Sequence, residues 1–201
     1  SVAVTIMSLT GFETDNNLFM VVSFQLISAL TTTGFQNIAD INILPHFFIG
    51  MMIIFMLIGG EMGSTAGGIK QYRIVTCFKG VSHYISSSMR SSKIFHPSKI
   101  RKGEDVLYLD ESDFSSNYAF VFTYLLIFLL GSLIFSSFGY SFESSMFEFA
   151  SCLSTVGLSV GIINTTSNNI ILWTGILGMF FGRLEIFVVF YSMIKMLSKK
   201  R

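Results

Sequence analysis

The sequence predicts an all-α integral membrane fold made of tandem repeats, each a helix, a short pore helix, an extended strand and a second helix. Three observations lead there. Of 201 residues, 51% are hydrophobic, 22 are Phe and only 12% are charged, and the mean hydropathy is +0.65; soluble domains do not have this composition. Two segments, Leu30-Thr31-Thr32-Thr33-Gly34-Phe35 and Leu153-Ser154-Thr155-Val156-Gly157-Leu158, share a Thr-x-Gly core at an offset of 123 residues. At that offset and without insertion, Phe19 matches Phe142, Phe24 matches Phe147, Ser28 matches Ser151, Ile53 matches Ile176, Met56 matches Met179 and Gly59 matches Gly182. Coincidence among Phe and Leu explains several such pairs in an apolar chain, but it explains poorly both the shared Thr-x-Gly and the unbroken register. A period this long points to duplication of a whole membrane unit.

Taken in order, residues 1–9 read as the stub of a helix. Residues 18–30 and 146–153 are apolar but too short to cross a hydrocarbon core of ~30 Å, and each runs into a Thr-x-Gly segment, so both read as re-entrant pore helices. Residues 118–138 carry no charge over 21 positions, enough for a span. Residues 170–197 form a longer apolar run, broken only by Arg183, Glu185 and Lys195.

Residues 44–78 would form one long helix but for Gly59-Gly60-Glu61-Met62-Gly63-Ser64-Thr65-Ala66-Gly67-Gly68-Ile69-Lys70. Each Gly costs ~1 kcal/mol in a helix interior, so this stretch is expected to be unwound. Unpaired backbone is tolerated at membrane depth only where it is buried in protein or lines a wet cavity, which makes a break just below a pore strand a candidate gate. A phosphate-cradling loop is a poor fit, because Ile69 separates Gly68 from Lys70 and no Ser or Thr follows the lysine. The connection, about residues 80–113, contains Ser86-Ser87-Ser88, Ser91-Ser92, His96-Pro97 and a mixed-charge run from Lys99 to Asp113. It reads as an ordered loop or short amphipathic element at the membrane surface, or equally as a flexible linker. The expected units are 1–80, 81–113 and 114–201.

Charge sets the orientation. Eight Lys or Arg fall within residues 70–102, four more are Lys195, Lys199, Lys200 and Arg201, and the last is Arg183 within a span. The positive-inside rule places residues 70–113 and the C-terminus in the cytoplasm. The loops bearing the Thr-x-Gly segments carry Glu13, Asp15, Asp40, Glu143 and Glu148 and no Lys or Arg. They are expected to face outward as acidic mouths that concentrate cations.

A Thr-x-Gly strand suits ion conduction because carbonyls turned to one axis replace the hydration shell of a monovalent cation without a charged side chain that would bind it too tightly. Gly permits the positive φ, Thr adds a hydroxyl oxygen, and the C-terminal dipole of the preceding pore helix favours a cation. The candidate filter residues are Thr32, Thr33 and Gly34 with Thr155, Val156 and Gly157, which would hold potassium as the transported ion. The candidate gate residues of the break are Gly59, Gly60, Gly63, Ser64, Thr65, Gly67 and Gly68. The charge of Arg183 at membrane depth demands a partner or a wet cavity, and a salt bridge to Glu61 is the structural reading that would meet that demand. Glu185 is a poor partner, since positions i and i+2 of a helix do not face each other.

Together, Thr-Thr-Thr-Gly-Phe, Gly-Gly-Glu-Met-Gly-Ser-Thr-Ala-Gly-Gly-Ile-Lys, Ser-Thr-Val-Gly-Leu-Ser and Gly182-Arg183-Leu184-Glu185 closely resemble the C-terminal half of the TrkH/KtrB family of potassium-uptake membrane subunits. The resemblance implies a potassium-channel-like pore of four helix-pore-helix repeats in one chain, of which this sequence supplies the third and fourth. It also implies that the Gly-rich break is the intramembrane loop obstructing the path and that Arg183 is its barrier arginine. The implied partners are the N-terminal half of the same transporter, a second copy in a homodimer, the lipid bilayer, and a cytoplasmic ring of nucleotide-binding regulatory subunits of the TrkA/KtrA type. No cofactor and no nucleic acid are expected, and the location is a prokaryotic cell membrane. The chain opens with Ser1 and holds two of four expected repeats, so it is expected to be a fragment of a chain roughly twice as long.

Sodium or weakly selective monovalent cation transport is the alternative within the class. An embedded enzyme lacks a catalytic constellation, and a helical scaffold leaves both Thr-x-Gly segments and the Gly-rich break unexplained. Cys77 and Cys152 fall on opposite membrane sides and are expected to be unpaired thiols, and His46, His83 and His96 lack metal-ligand spacing.

Overall fold

The computed structural model describes residues 18–38, 40–61, 63–89, 98–102, 105–109, 111–183 and Lys195. The helix stub at 1–9, Glu13, Asp15, Ser91, Ser92, His96, Pro97, Glu185 and the basic C-terminus lie outside the described residues.

The first described helix, α1 (Leu18–Leu30), ends at the first Thr-x-Gly segment. A short 3-10 turn, Ile41–Ile43, follows, its N-terminus capped by the Asp40 side chain. Pro45 then sets a fixed φ of −57° ahead of α2 (His46–Ile58), which stops where Gly59 takes φ +62°. At 1.5 Å per residue, this helix covers only about 20 Å. The chain turns back at the break and resumes as α3 (Gln71–Met89).

α4 (Glu111–Ser137) contains a 25-residue stretch, Asp113–Ser137, long and apolar enough to cross a membrane. α5 (Phe142–Leu153), capped by the Ser141 side chain, leads into the second Thr-x-Gly segment, and α6 (Asn169–Arg183) follows it. Helix α1 packs on α2 and α5 on α6; α4 lies against both α5 and α6; α2 meets α5 and α3 meets α4 across the repeat boundary. The core between them is aromatic and tight. The Phe135 and Phe149 rings meet edge to face at 5.6 Å, and Gly131 is glycine because a Cβ there would enter the Phe149 ring. The two repeats are also tied by the Tyr118 hydroxyl, which donates to the Cys77 carbonyl at 3.0 Å, and by the Arg73 guanidinium over the Phe120 ring at 3.5 Å.

The fold is predominantly helical, as the sequence implies, and the connection supplies its departure. α3 runs on to Met89, because nothing in 71–89 breaks it: its one glycine, Gly80, packs against Tyr118 and Phe114. Beyond it, β1 (Ser98–Lys102) and β2 (Asp105–Leu109) pair antiparallel, Ser98 opposite Leu109 and Lys102 opposite Asp105. The charge run masked this hairpin, whose strands intersperse Ile100, Val106 and Tyr108 among Lys, Arg and Asp.

Candidate ion-conduction site

The two Thr-x-Gly segments have the same backbone. After α1, the N–H groups of Thr31, Thr32 and Thr33 donate to the carbonyls of Ile27, Ala29 and Ser28; after α5, those of Ser154, Thr155 and Val156 donate to Ala150, Cys152 and Ser151. Each bond of the first set recurs in the second at the offset read from the sequence. Thr32 and Thr155 are the non-glycine residues with positive φ among those described, at +52° and +53°, and Gly34 and Gly157 follow at +80° and +97°. A β-branched residue held in the left-handed region is strained. Finding the same strain twice marks a conformation that the fold imposes.

Matched serines hold each segment from behind. The Ser28 hydroxyl donates to the Phe35 carbonyl at 2.7 Å, and the Ser151 hydroxyl accepts from the Gly157 N–H at 3.1 Å. The two segments also approach each other: a Cβ on Gly34 would collide with the Val156 carbonyl oxygen. The two candidate filter segments therefore meet at Gly34 and Val156.

A second matched position escaped the sequence reading, although polar residues at equal register in two apolar pore helices were a usable signal. Gln25, fully buried, donates through Nε2 to Asn37 Oδ1 at 2.9 Å. Its counterpart Glu148, only 2% exposed, accepts from the Ser159 hydroxyl at 2.7 Å and from the N–H groups of Val160 at 2.8 Å and Ile163 at 3.2 Å. Glu148 is therefore not one of the acidic mouth residues. α5 turns it inward, where it braces the segment leaving the strand. Asp40 and Glu143 do lie nearer solvent, and the Glu143 carboxylate meets His46 Nδ1 at 2.5 Å.

The Gly-rich break is unwound, and its backbone is satisfied by folding back on the end of α2. Ile69 N–H donates to the Leu57 carbonyl at 2.7 Å and Gln71 N–H to the Gly60 carbonyl at 3.2 Å. Close approach there demands glycine: a Cβ on Gly59 would strike the Gly67 carbonyl. The loop also touches both strands. Gly67 N–H donates to Thr32 Oγ1 at 3.2 Å, and a Cβ on Gly67 would run into the Ser154 carbonyl. Ser154 is itself held by the buried Tyr124 hydroxyl at 2.9 Å.

Arg183 reaches this loop. Its Nη1 donates to the Thr65 carbonyl at 2.7 Å, and Glu61, the alternative partner, forms no ion pair with it. Gly182 beside it packs on the Leu153 carbonyl, which brings the end of α6 under the second strand. A cavity of about 390 Å³ is lined by Gly63–Gly68, Lys70, Phe120, Tyr124, Phe181, Gly182 and Arg183. Of the candidate gate residues, Gly63, Ser64, Thr65, Gly67, Gly68 and Arg183 meet in this cavity; Gly59 and Gly60 form its rear support. Among the described residues, no cluster of His, Cys, Asp and Glu resembles a metal centre.

This pairing of strands and loop can be set beside known proteins. The TrkH family of cation transport proteins matches residues 15–201. The chain belongs to this family. It is 34% identical over 171 residues to an uncharacterized cation transporter of Methanocaldococcus jannaschii, covering 83% of this chain and 34% of that one. To the Trk system potassium uptake protein TrkH of Escherichia coli K12 it is 29% identical over 169 residues, with the same coverage. The crystal structure of the potassium transporter TrkH from Vibrio parahaemolyticus superposes with a TM-score of 0.76 at 24% identity, covering 95% of this chain and 41% of that one. The last similarity establishes the fold, an all-α membrane architecture. The chain spans about a third of the length of the curated relatives it matches. Membership in a family of membrane cation transporters removes the enzyme alternative.

Proposed function

We propose that this chain supplies the third and fourth filter strands of a potassium-uptake transporter, with the Gly-rich loop and Arg183 forming the barrier beneath them. The observation that carries this reading is the doubled backbone: the same three hydrogen bonds and the same left-handed Thr opening each Thr-x-Gly. Carbonyls arranged twice in this way, with glycine where the strands face, suit coordination of a dehydrated potassium ion by Thr32, Thr33, Gly34, Thr155, Val156 and Gly157. The loop is suited to a barrier because it is bonded to one strand at Thr32, packed on the other at Ser154, and held from α6 by Arg183. The relatives named for potassium uptake agree in substrate.

In this reading, the N-terminal half of the transporter completes the ring and two copies form the dimer. Residues 70–113 and the C-terminus face the cytoplasm of a prokaryotic cell, where the basic surface receives a nucleotide-binding regulatory subunit. The units 1–80, 81–113 and 114–201 are then the third repeat, the cytoplasmic connection and the fourth repeat.

The test is rubidium uptake by the full-length transporter in potassium-deficient cells, wild type against Gly157→Ser. Loss of uptake or of preference over sodium at normal membrane abundance supports the filter. Unchanged uptake removes Gly157 from it, and a wild type that prefers sodium moves the substrate to the alternative cation.

A further inference from the structure

Lys70 stands at the end of the Gly-rich segment, directly before α3. A positive charge at a helix N-terminus opposes the helix dipole, so α3 itself gives no reason for a lysine there. The side chain does not extend outward from the helix start; it turns back over the loop, where Nζ donates to the Ser64 carbonyl at 3.0 Å and to the Ala66 carbonyl at 2.5 Å. The intervening Thr65 carbonyl receives Arg183 Nη1. Three consecutive carbonyls therefore end on two tethered cations, and no described carboxylate pairs with either cation.

Backbone carbonyls converging without a counter-ion, as those of Ser64 and Ala66 do on Lys70 Nζ, are what a dehydrated monovalent cation binds. Here an ammonium and a guanidinium occupy that place, in the cavity lined by Lys70 and Arg183. We infer that Lys70 is a second latch of the loop: with Arg183 it acts as a built-in cation holding residues 64–66 closed, and release of the pair uncovers a transient carbonyl site for the passing ion. The two latches differ in reach. Lys70 ties the loop to the root of α3 only four to six residues away, and Arg183 ties it to α6 across 118 residues of sequence. A shift of either helix thus loosens one latch and leaves the other in place. The identity of the ion rests on the proposed potassium transport, whereas the latch rests on the loop geometry. Lys70 is a positioning residue, acting on ions through the loop.

The experiment uses the full-length transporter in proteoliposomes, comparing wild type, Lys70→Met, Lys70→Arg and Arg183→Gln. It reads basal rubidium flux, rubidium preference over sodium, and amide hydrogen exchange of peptides covering residues 63–69. Lys70→Met is expected to raise basal flux roughly ten-fold and to speed exchange in the loop, the effect of losing a charge-assisted hydrogen bond, with ion preference kept. Lys70→Arg is expected to restore both towards wild type. A monodisperse Lys70→Met with wild-type flux and exchange overturns the latch, as does a Lys70→Arg variant that behaves like Lys70→Met. If Lys70→Met fails to fold, Lys70→Gln takes its place with the same expectations. If wild type and Arg183→Gln both pass no rubidium, the proposed transport is what fails. Exchange then decides the latch: faster in Lys70→Met supports it, and unchanged exchange overturns it.

Discussion

The two Thr-x-Gly segments share a backbone, with φ in the left-handed region at Thr32 and Gly34 and again at Thr155 and Gly157, yet the supports behind them differ. Gln25 braces its strand exit through one bond to a side chain, and its Oε1 is buried without a partner; Glu148 braces the matching exit through two backbone N–H groups and a hydroxyl. Among the described residues, the first repeat follows its strand with a helix broken at Gly59, and the second with α6, unbroken from Asn169 to Arg183. A duplicated unit has thus kept one backbone while its surroundings diverged. The shared feature is the one that the proposed conduction requires, and the divergent features set how firmly each segment is held and, in the proposed reading, where the barrier lies.

The largest expected effect falls where the two segments meet. Gly34→Ala adds a collision with the Val156 carbonyl to the cost of a positive φ and is expected to abolish rubidium uptake by the full-length transporter at normal membrane abundance. Unchanged uptake in this variant would break the comparison at the backbone the two segments share.

Next come the braces. Glu148→Ala leaves two part-buried N–H groups and a hydroxyl without their acceptor, each worth about 1 kcal/mol or more, so the thermal midpoint of the purified transporter should fall well below that of Gln25→Ala, which forfeits one bond. A Gln25→Ala variant as unstable as Glu148→Ala would show that the amide carries more than its bond to Asn37.

Tyr124→Phe is a smaller change. It removes one buried hydrogen bond to Ser154 and should cost about 1 kcal/mol in denaturant unfolding, with uptake close to wild type. The smallest effect belongs to His46→Ala. That imidazole is 91% exposed, so its pairing with Glu143 is weakened by solvent, and neither thermal midpoint nor uptake should move.

Much of this architecture was legible in the chain. The composition and the charge-free run at 118–138 announced a membrane helix, and α4 covers that run up to Ser137. The common offset of the two Thr-x-Gly segments anticipated that Thr32 and Thr155 would share a conformation, as their φ angles do. Five glycines in ten residues foretold that the helix would break between Ile58 and Gln71. Less was legible where one letter pattern allows two outcomes. Glu148 reads as an acidic mouth residue beside Glu143, and its burial follows from the rotation of α5 against α4 and α6. The hairpin at 98–109 was hidden because charges interrupt the alternation that marks a strand.

What the sequence determined by itself is the repeating backbone, since helix lengths, glycine positions and pore-helix ends are local properties that recur wherever the local sequence recurs. What only the tertiary structure decided is which groups meet. Arg183 bonds the Thr65 carbonyl rather than Glu61, Gly67 lies against both strands, and Lys70 folds back over the loop instead of pairing with a carboxylate. The Arg183 and Gly67 contacts join groups brought together by the packing of α2, α5 and α6, and interactions between positions 35 to 118 residues apart leave no trace in the local order of residues; the Lys70 bonds are short in sequence, and the path of the loop decides them.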